Sequence, residues 1–356
     1  MRLWSAYLAI TVCVGVAYLL GPGWINVGPV FNLIGASAAL AIAWGARRNL
    51  RGGRLPWYLV AAGQLLFVGG DVLAYNYERI FGRELSFPSI ADPAYLAVYP
   101  CLIAALLMLI HRRDPTRDHS SLIDSLIVTI GVGTVSWVYL MAPNAHDESM
   151  SLATKLISIA YPLMDLFVLA VLVRLAVGAG RRGLSFALLA LGLCALLATD
   201  SVYGWLLVHG GYATGGLLDG GWIAFYALLG AAALHPSMRL MSEPSPEPRA
   251  PAGRQRLIVL VCATLLAPGV EALRIVLDQP RETGVITGAS AALFLLVMLR
   301  MAGLVRQQER AREREAALRR AGETLMTASS SEAVHAATLA AARALADTAE
   351  VALYVT

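Results

Sequence analysis

Lysine is almost missing from this chain: Lys155 is the single one among 28 basic residues, and the rest are arginine. A retinal Schiff base needs a lysine inside a helical bundle, and Lys155 stands at the outer edge of an apolar segment, so that pigment has no support. Histidine is scarce as well. His111, His209 and His235 fall at the ends of apolar segments, while His119, His146 and His335 lie outside them, which leaves no facing pair to hold a haem. The four cysteines, Cys13, Cys101, Cys194 and Cys262, each lie alone inside a different apolar segment, so there is no disulfide framework, CxxC or zinc pattern. A Walker A loop, an HExxH helix and a serine nucleophile elbow are all absent. No catalytic residue, metal or cofactor is expected within residues 1–356. Charge is the last scarcity. With 15% charged and 58% hydrophobic residues, the chain cannot cover a soluble protein of 356 residues.

What is present is a rhythm. Arg48, Arg113, Arg174, Arg239 and Arg300 recur at spacings of 65, 61, 65 and 61 residues, and each interval holds two long apolar stretches. Segments near 3–20, 27–46, 56–77, 92–111, 120–142, 153–175, 184–208, 217–236, 256–277 and 284–305 are each about long enough to span a hydrocarbon core of roughly 30 Å. The expected fold is therefore an all-α polytopic membrane protein with ten transmembrane helices, arranged as five repeated hairpins. Loops after even segments carry fourteen basic residues against five after odd ones. Positive charge stays inside, so both termini are expected in the cytoplasm. Segment one has a long apolar run and no small-x-small cleavage site before Gly21, and reads as an uncleaved span. Arginine and alanine richness suggests a GC-rich bacterial genome, hence a multi-pass protein of the bacterial inner membrane. The net charge of +4 is this topological bias plus an arginine-rich tail, and nucleic-acid binding is not expected.

The hairpins also repeat internally. In segments three-four and seven-eight, Asp71 aligns with Asp200, Tyr75 approximately with Tyr203, Asp92 with Asp219, Tyr95 with Trp222 and Tyr99 with Tyr226. Tyr161-Pro162 repeats Tyr99-Pro100 after 62 residues, with Asp165 just beyond, and Glu271 follows Asp200 by 71. A charged side chain inside a bilayer normally faces a bundle interior or wet cavity. These twelve residues (Asp71, Tyr75, Asp92, Tyr95, Tyr99, Asp165, Asp200, Tyr203, Asp219, Trp222, Tyr226 and Glu271) are the candidate ligand site, an acidic-aromatic cavity in the outer half. Simpler roles compete. Tyr and Trp favour membrane interfaces anyway. Asp92 and Asp219 stand where they would cap helix N-termini, and Glu271 could pair with Arg274 one turn on. Asp71 and Asp200 lie in C-terminal helix halves, where capping offers no explanation. Pro100 and Pro162 would kink their spans. Gly69-Gly70-Asp71 and Glu271-Ala272-Leu273 spell parts of GGDEF and EAL signatures, but both lie inside spans and are rejected as catalytic.

After Leu304 the character changes. Residues 306–323 are highly charged, and a helix continuing from segment ten is expected, with Leu304, Ala311, Leu318 and Leu325 on one seven-residue seam of a marginal parallel dimer. A solvated linker is the alternative. Thr327–Ser331 reads as a turn, 331–349 as a helix and 351–356 as a strand. One helix and one strand cannot bury a core, so more chain is expected beyond Thr356.

The tail LRRAGETLMTASSSEAVHAATLAAARALADTAEVALYVT resembles the opening of a GAF domain. FPSIADPAYLAVYP (87–100), LIDSLIVTIGVGTVSWVYLMAP (122–143), SIAYPLMDLFVLAVLVRL (158–175) and LDGGWIAFYALLGAAALHPSM (218–238) resemble the N-terminal membrane sensor region of bacterial signalling proteins that end in GGDEF and EAL cyclic-di-GMP modules. Similar regions also precede histidine kinases. The resemblance covers about residues 55–240, and no functional residue is carried over from it. It implies three parts: a ten-helix sensor domain at 1–305, a cytosolic signalling helix at 306–328, and the start of an α/β GAF domain at 329–356. The implied function is sensing of an external or membrane ligand, or a proton, and relay to cyclic-di-GMP turnover through a homodimer joined along 304–325. The alternatives are the sensor region of a histidine kinase and a proton- or cation-coupled transporter.

Overall fold

A computed structural model describes residues 3–22, 28–83, 85–113, 119–178, 182–210, 216–243, 254–278, 282–327 and 330–346, and every regular element among them is helical. The helices are α1 (Leu3–Leu20), α2 (Gly28–Asn49), α3 (Leu55–Phe81), α4 (Asp92–Arg113), α5 (His119–His146), α6 (Leu152–Val177), α7 (Leu184–His209), α8 (Asp219–Leu234), α9 (Arg254–Val276), α10 (Thr283–Thr327) and α11 (Ser331–Ala346). Their ends follow local chemistry. Pro56 sits in the first turn of α3, where its missing N–H costs nothing. Gly82 closes α3 in the left-handed region at φ 63°, donating its N–H to the Glu78 carbonyl. Ser151 Oγ accepts the Thr154 N–H and caps α6. Pro100 and Pro162 both lie inside unbroken helices. A π turn at Trp137–Met141 interrupts α5.

Nine helices among the described residues are long and apolar enough to cross a membrane, and a tenth span results if α8 is joined to the short piece Pro236–Ser242. The ten expected segments are thus all helical, but the eighth differs in form. At 16 residues, α8 reaches only about 24 Å, short of a core roughly 30 Å thick. The chain then bends by 81°. Pro236 is the cause: it cannot continue the α8 hydrogen-bond ladder and instead opens a 3-10 turn, with His235 Nδ1 accepting the Ser237 N–H at 3.1 Å.

The chain divides into two units, Met1–Phe294 and Leu295–Thr356. In the first, α8 is the axial helix. Its small residues let α1, α2 and α7 pack closely around it, and Phe225, Tyr226, Leu229 and Ala231 are fully enclosed. Chain neighbours pair at α3–α4, α5–α6 and α7–α8, but the regular row of five hairpins needs correcting at both ends. Rather than lying chiefly on α2, α1 packs on α8: the Tyr7 ring crosses Gly230, and the Tyr18 hydroxyl reaches Asp219. Helix α9 packs on α5. That pair is parallel and in register, with Asp124 bonded to Arg256, Gly131 against Ala263, and Val138 clustered with Val270, each pair 132 residues apart. The seven-residue recurrence of these contacts is the signature of parallel helices packed along a seam. Ile10, Val12, Val16 and Leu20 on α1 are exposed, as a lipid-facing surface requires.

In the second unit, Ser330 Oγ accepts the Ala333 N–H and caps α11, a helix that starts where one was expected, while the expected turn and the end of that helix fall in part outside the described residues. Helix α10 runs unbroken to Thr327 through the charged stretch, past Gly322. The expected strand 351–356 lies outside the described residues, and the GAF fold is taken up below as a proposal.

Candidate functional site

The aligned acids do converge. Asp71, in the second half of α3, accepts the Tyr95 hydroxyl of α4 at 2.9 Å and the Tyr226 hydroxyl of α8 at 3.2 Å. Its repeat mate Asp200, on α7, accepts the Trp222 indole N–H at 2.8 Å and the Tyr99 hydroxyl at 3.4 Å. The repeat therefore has a physical basis. In both hairpins an acid late in the first helix is met by an aromatic donor from the start of the second, Tyr95 in one and Trp222 in the other. Gly70 explains part of the Gly-Gly-Asp tripeptide: a side chain there would overlap the Tyr95 ring, so glycine lets Tyr95 reach Asp71.

Asp165 on α6 is 8% exposed and lies beside Asp200, with the Tyr99 hydroxyl close to both. Its Oδ1 is buried and has no hydrogen-bond partner among the described residues. Asp92 has two duties. Its carboxylate accepts the Ser89 N–H while Ser89 Oγ accepts the Ala91 N–H, a reciprocal capping arrangement at the start of α4. The same carboxylate accepts the Tyr161 hydroxyl of α6 at 2.6 Å. Asp219 accepts the Tyr18 hydroxyl at 2.8 Å. Tyr203 stands edge-on to Trp222, with ring centroids 5.7 Å apart. Phe67 packs edge-on against both Tyr95 and Tyr226, forming an apolar wall beside Asp71.

Two expected members stand apart. Tyr75 is 39% exposed and lays its ring against Gly28, at the border of the network rather than within it. Glu271 belongs to α9, which packs on α5, while the acid network is built by α1, α3, α4, α6, α7 and α8. Its Oε2 is buried without a hydrogen-bond partner among the described residues. Its placement at the end of an interval resembling the repeat reflected sequence position, whereas helix packing decides proximity.

Sequence reasoning missed Tyr18, Tyr161, Asp124 and Arg256. The Tyr-Pro repeat could have flagged Tyr161. Nothing marks Tyr18, because hairpin one-two shares only the arginines with the rest. Asp124 and Arg256 form an ion pair at the arginine-rich end of α5 and α9, with Asp124 fully buried and the Arg256 side chain 21% exposed. Asp124 was readable as one more acid at the edge of an apolar segment.

Among the described residues, no three His, Cys, Asp or Glu side chains are grouped to hold a metal ion. The chemistry on offer is carboxylates ringed by aromatic donors from other helices. Such a network fixes helix positions through many bonds at once, and it changes when one acid gains or loses a proton or a cation. Replacing Tyr226 by phenylalanine, which leaves Asp71 Oδ2 without its donor, is expected to cost about 1–2 kcal/mol. Tyr75→Phe, at the border, is expected to cost less. Thermal unfolding of the two variants in detergent checks the difference. Comparison with protein families, with curated proteins and with solved structures finds no match for the chain.

Proposed function

We propose that this chain is a membrane-embedded sensory module of a bacterial inner-membrane signalling protein. In this reading the acid-aromatic network binds an external or membrane-dissolved ligand, or a proton, and biases the packing of the helices that carry it. Both termini face the cytoplasm. The α10 helix passes the bias to a GAF domain that begins near residue 329 and, beyond it, to cyclic-di-GMP turnover, within a homodimer joined along 304–325.

The observation that carries the reading is the pair Asp165 and Asp200. Asp165 is buried with one carboxylate oxygen unpartnered, next to a second acid, inside a network shared by six helices. Two adjacent carboxylates in a dry interior repel each other, and a shared proton or a bound cation relieves that repulsion. Whatever binds there must favour one helix arrangement over another to act as a signal.

The test is Asp165→Asn and Asp200→Asn in the full-length protein, with cyclic-di-GMP turnover followed across external pH and candidate ligands. The response is expected to fall at least fivefold in both variants and to persist in Tyr75→Phe. An undiminished response in both Asn variants would overturn the sensory reading. Substrate flux through proteoliposomes of the native chain would replace it with transport.

A further inference from the structure

The acid network does not involve the far end of α5, where the helix is interrupted by the π turn Trp137–Met141 and closes at His146. Such turns are rare and gather at functional positions. This one opens on a contact with the start of α10. The Trp137 indole N–H donates to Glu282 Oε2 at 3.4 Å, and Glu282 Oε1 stands 3.5 Å from His146 Nδ1. Glu282 immediately precedes α10, and its carbonyl accepts the Ile286 N–H, so its backbone belongs to the first turn. One carboxylate therefore ties both the π turn and the last residue of α5 to the beginning of α10.

That beginning is held by little else. Between Thr283 and Phe294, Ile286 and Leu293 alone are buried, and Ile286 packs with Val138 and Val270. The two contacts of Glu282 answer to different conditions. An indole N–H keeps its proton, whereas histidine side chains change charge between about pH 5 and 8. The His146 side chain is 65% exposed and that of Glu282 18%, so protons from the water reach the pair. Among the described residues, the charged and titratable groups on the elements around it are these. From α6, Lys155 Nζ bonds the Ala145 carbonyl and opposes a second positive charge. In the turn after α5, Asp147 favours one, with its carboxylate engaged by the Ser149 N–H and hydroxyl, and Glu148 follows it, exposed. At this same end α9 runs out toward Asp278. Helix α7 meets the π turn through Gly204 against Leu140 and ends at His209, which stacks on Trp205.

We propose that His146 and Glu282 form a pH-sensitive latch on the first turn of α10. In mildly acidic water the imidazolium pairs with the Glu282 carboxylate and holds that turn against α5. As pH rises the imidazole loses its charge, the pair weakens, and Trp137 is left to hold Glu282. The latch uses no residue of the acid network, and its consequence for cytosolic output, though not the latch itself, rests on the sensory reading.

The experiment uses the full chain in nanodiscs with its four native cysteines replaced by alanine. One nitroxide is placed at Val285→Cys, exposed in the first turn of α10, and another at Leu152→Cys, exposed at the start of α6. Their separation is read by double electron–electron resonance. The distribution is expected to be narrow at about pH 5 and to gain a displaced component at about pH 8. The ratio of displaced to latched molecules should rise about two- to fivefold, the range that an exposed ion pair can supply. His146→Gln and Glu282→Gln should each show the alkaline distribution at both pH values, and His209→Gln should respond as the native chain does. The proposal is overturned if the native distribution is the same at both pH values, if His146→Gln keeps the response, or if His209→Gln abolishes it. The readout is a distance rather than an output, so failure of the latch and failure of the sensory reading are seen separately.

Discussion

Replacing Arg256 by methionine is expected to lower the stability of the folded chain by about 3–5 kcal/mol, because it strips a fully buried carboxylate of its charged partner. Asp124 has no exposure to solvent, and both the Nε and Nη2 of Arg256 meet its Oδ2. The pair closes one end of the α5–α9 seam. The sign of the effect does not depend on the pair being favourable in itself. Taking two charges out of water can cost as much as their attraction returns, but a fully buried carboxylate that loses Arg256 keeps its desolvation cost with less to offset it. The double variant Asp124→Asn/Arg256→Met removes both charges and is therefore expected to recover most of the loss. Chemical unfolding in mixed micelles, followed by tryptophan fluorescence, gives the comparison. A single variant within about 1 kcal/mol of the native chain would show that water or another cation reaches Asp124 and screens it, as at an exposed pair.

The span pattern was legible because a bilayer imposes it: each of the ten expected segments is helical, and the repeat of Asp71 and Asp200 placed both in comparable aromatic shells. Partner choice was less legible. Pattern alone treats α1 and α2 as a hairpin, whereas Tyr7 on Gly230 and Tyr18 on Asp219 fasten α1 to α8, and neither contact leaves a periodic trace. Capping was set against function for Asp92, and the structure assigns it both a cap and a bond to Tyr161, since a carboxylate has two oxygens to spend. The acids that the repeat aligned are met in the structure by tyrosine and tryptophan donors from other helices. Sequence spacing counts the groups but not which of them satisfy one another. Glu271 shows the converse error. It matches the repeat by residue number, yet its helix packs on α5, where the fit of Gly131 and Ala263 decides the neighbour.

That fit makes Gly131 the second position of large expected effect. A Cβ at Gly131 would overlap the carbonyl oxygen of Ala263 and crowd its carbonyl carbon and Cα, which belong to the backbone and cannot turn aside as a side chain would. Gly131→Val therefore forces α5 and α9 apart along their whole seam. The ion pair Asp124–Arg256 lies two turns away on one side and the cluster of Val138, Val270 and Ile286 two turns away on the other. Overpacking at a tight contact costs about 1–3 kcal/mol where neighbours can repack, and the upper end or more is expected here because the obstacle is main chain. Gly269 on α9 is the matched control: a side chain there meets nothing within 4 Å. Gly269→Ala should be neutral or stabilise by up to about 1 kcal/mol through helix propensity. Gly131→Val and Arg256→Met strain the same seam and should not add. Their double variant is expected to fall short of the summed loss by more than about 0.5 kcal/mol, because a seam already parted at Gly131 has less left to lose when Arg256 is removed. Strict additivity would mean that α5 and α9 are held by independent contacts, and the seven-residue register linking Asp124, Gly131 and Val138 to their partners would then be a coincidence of spacing.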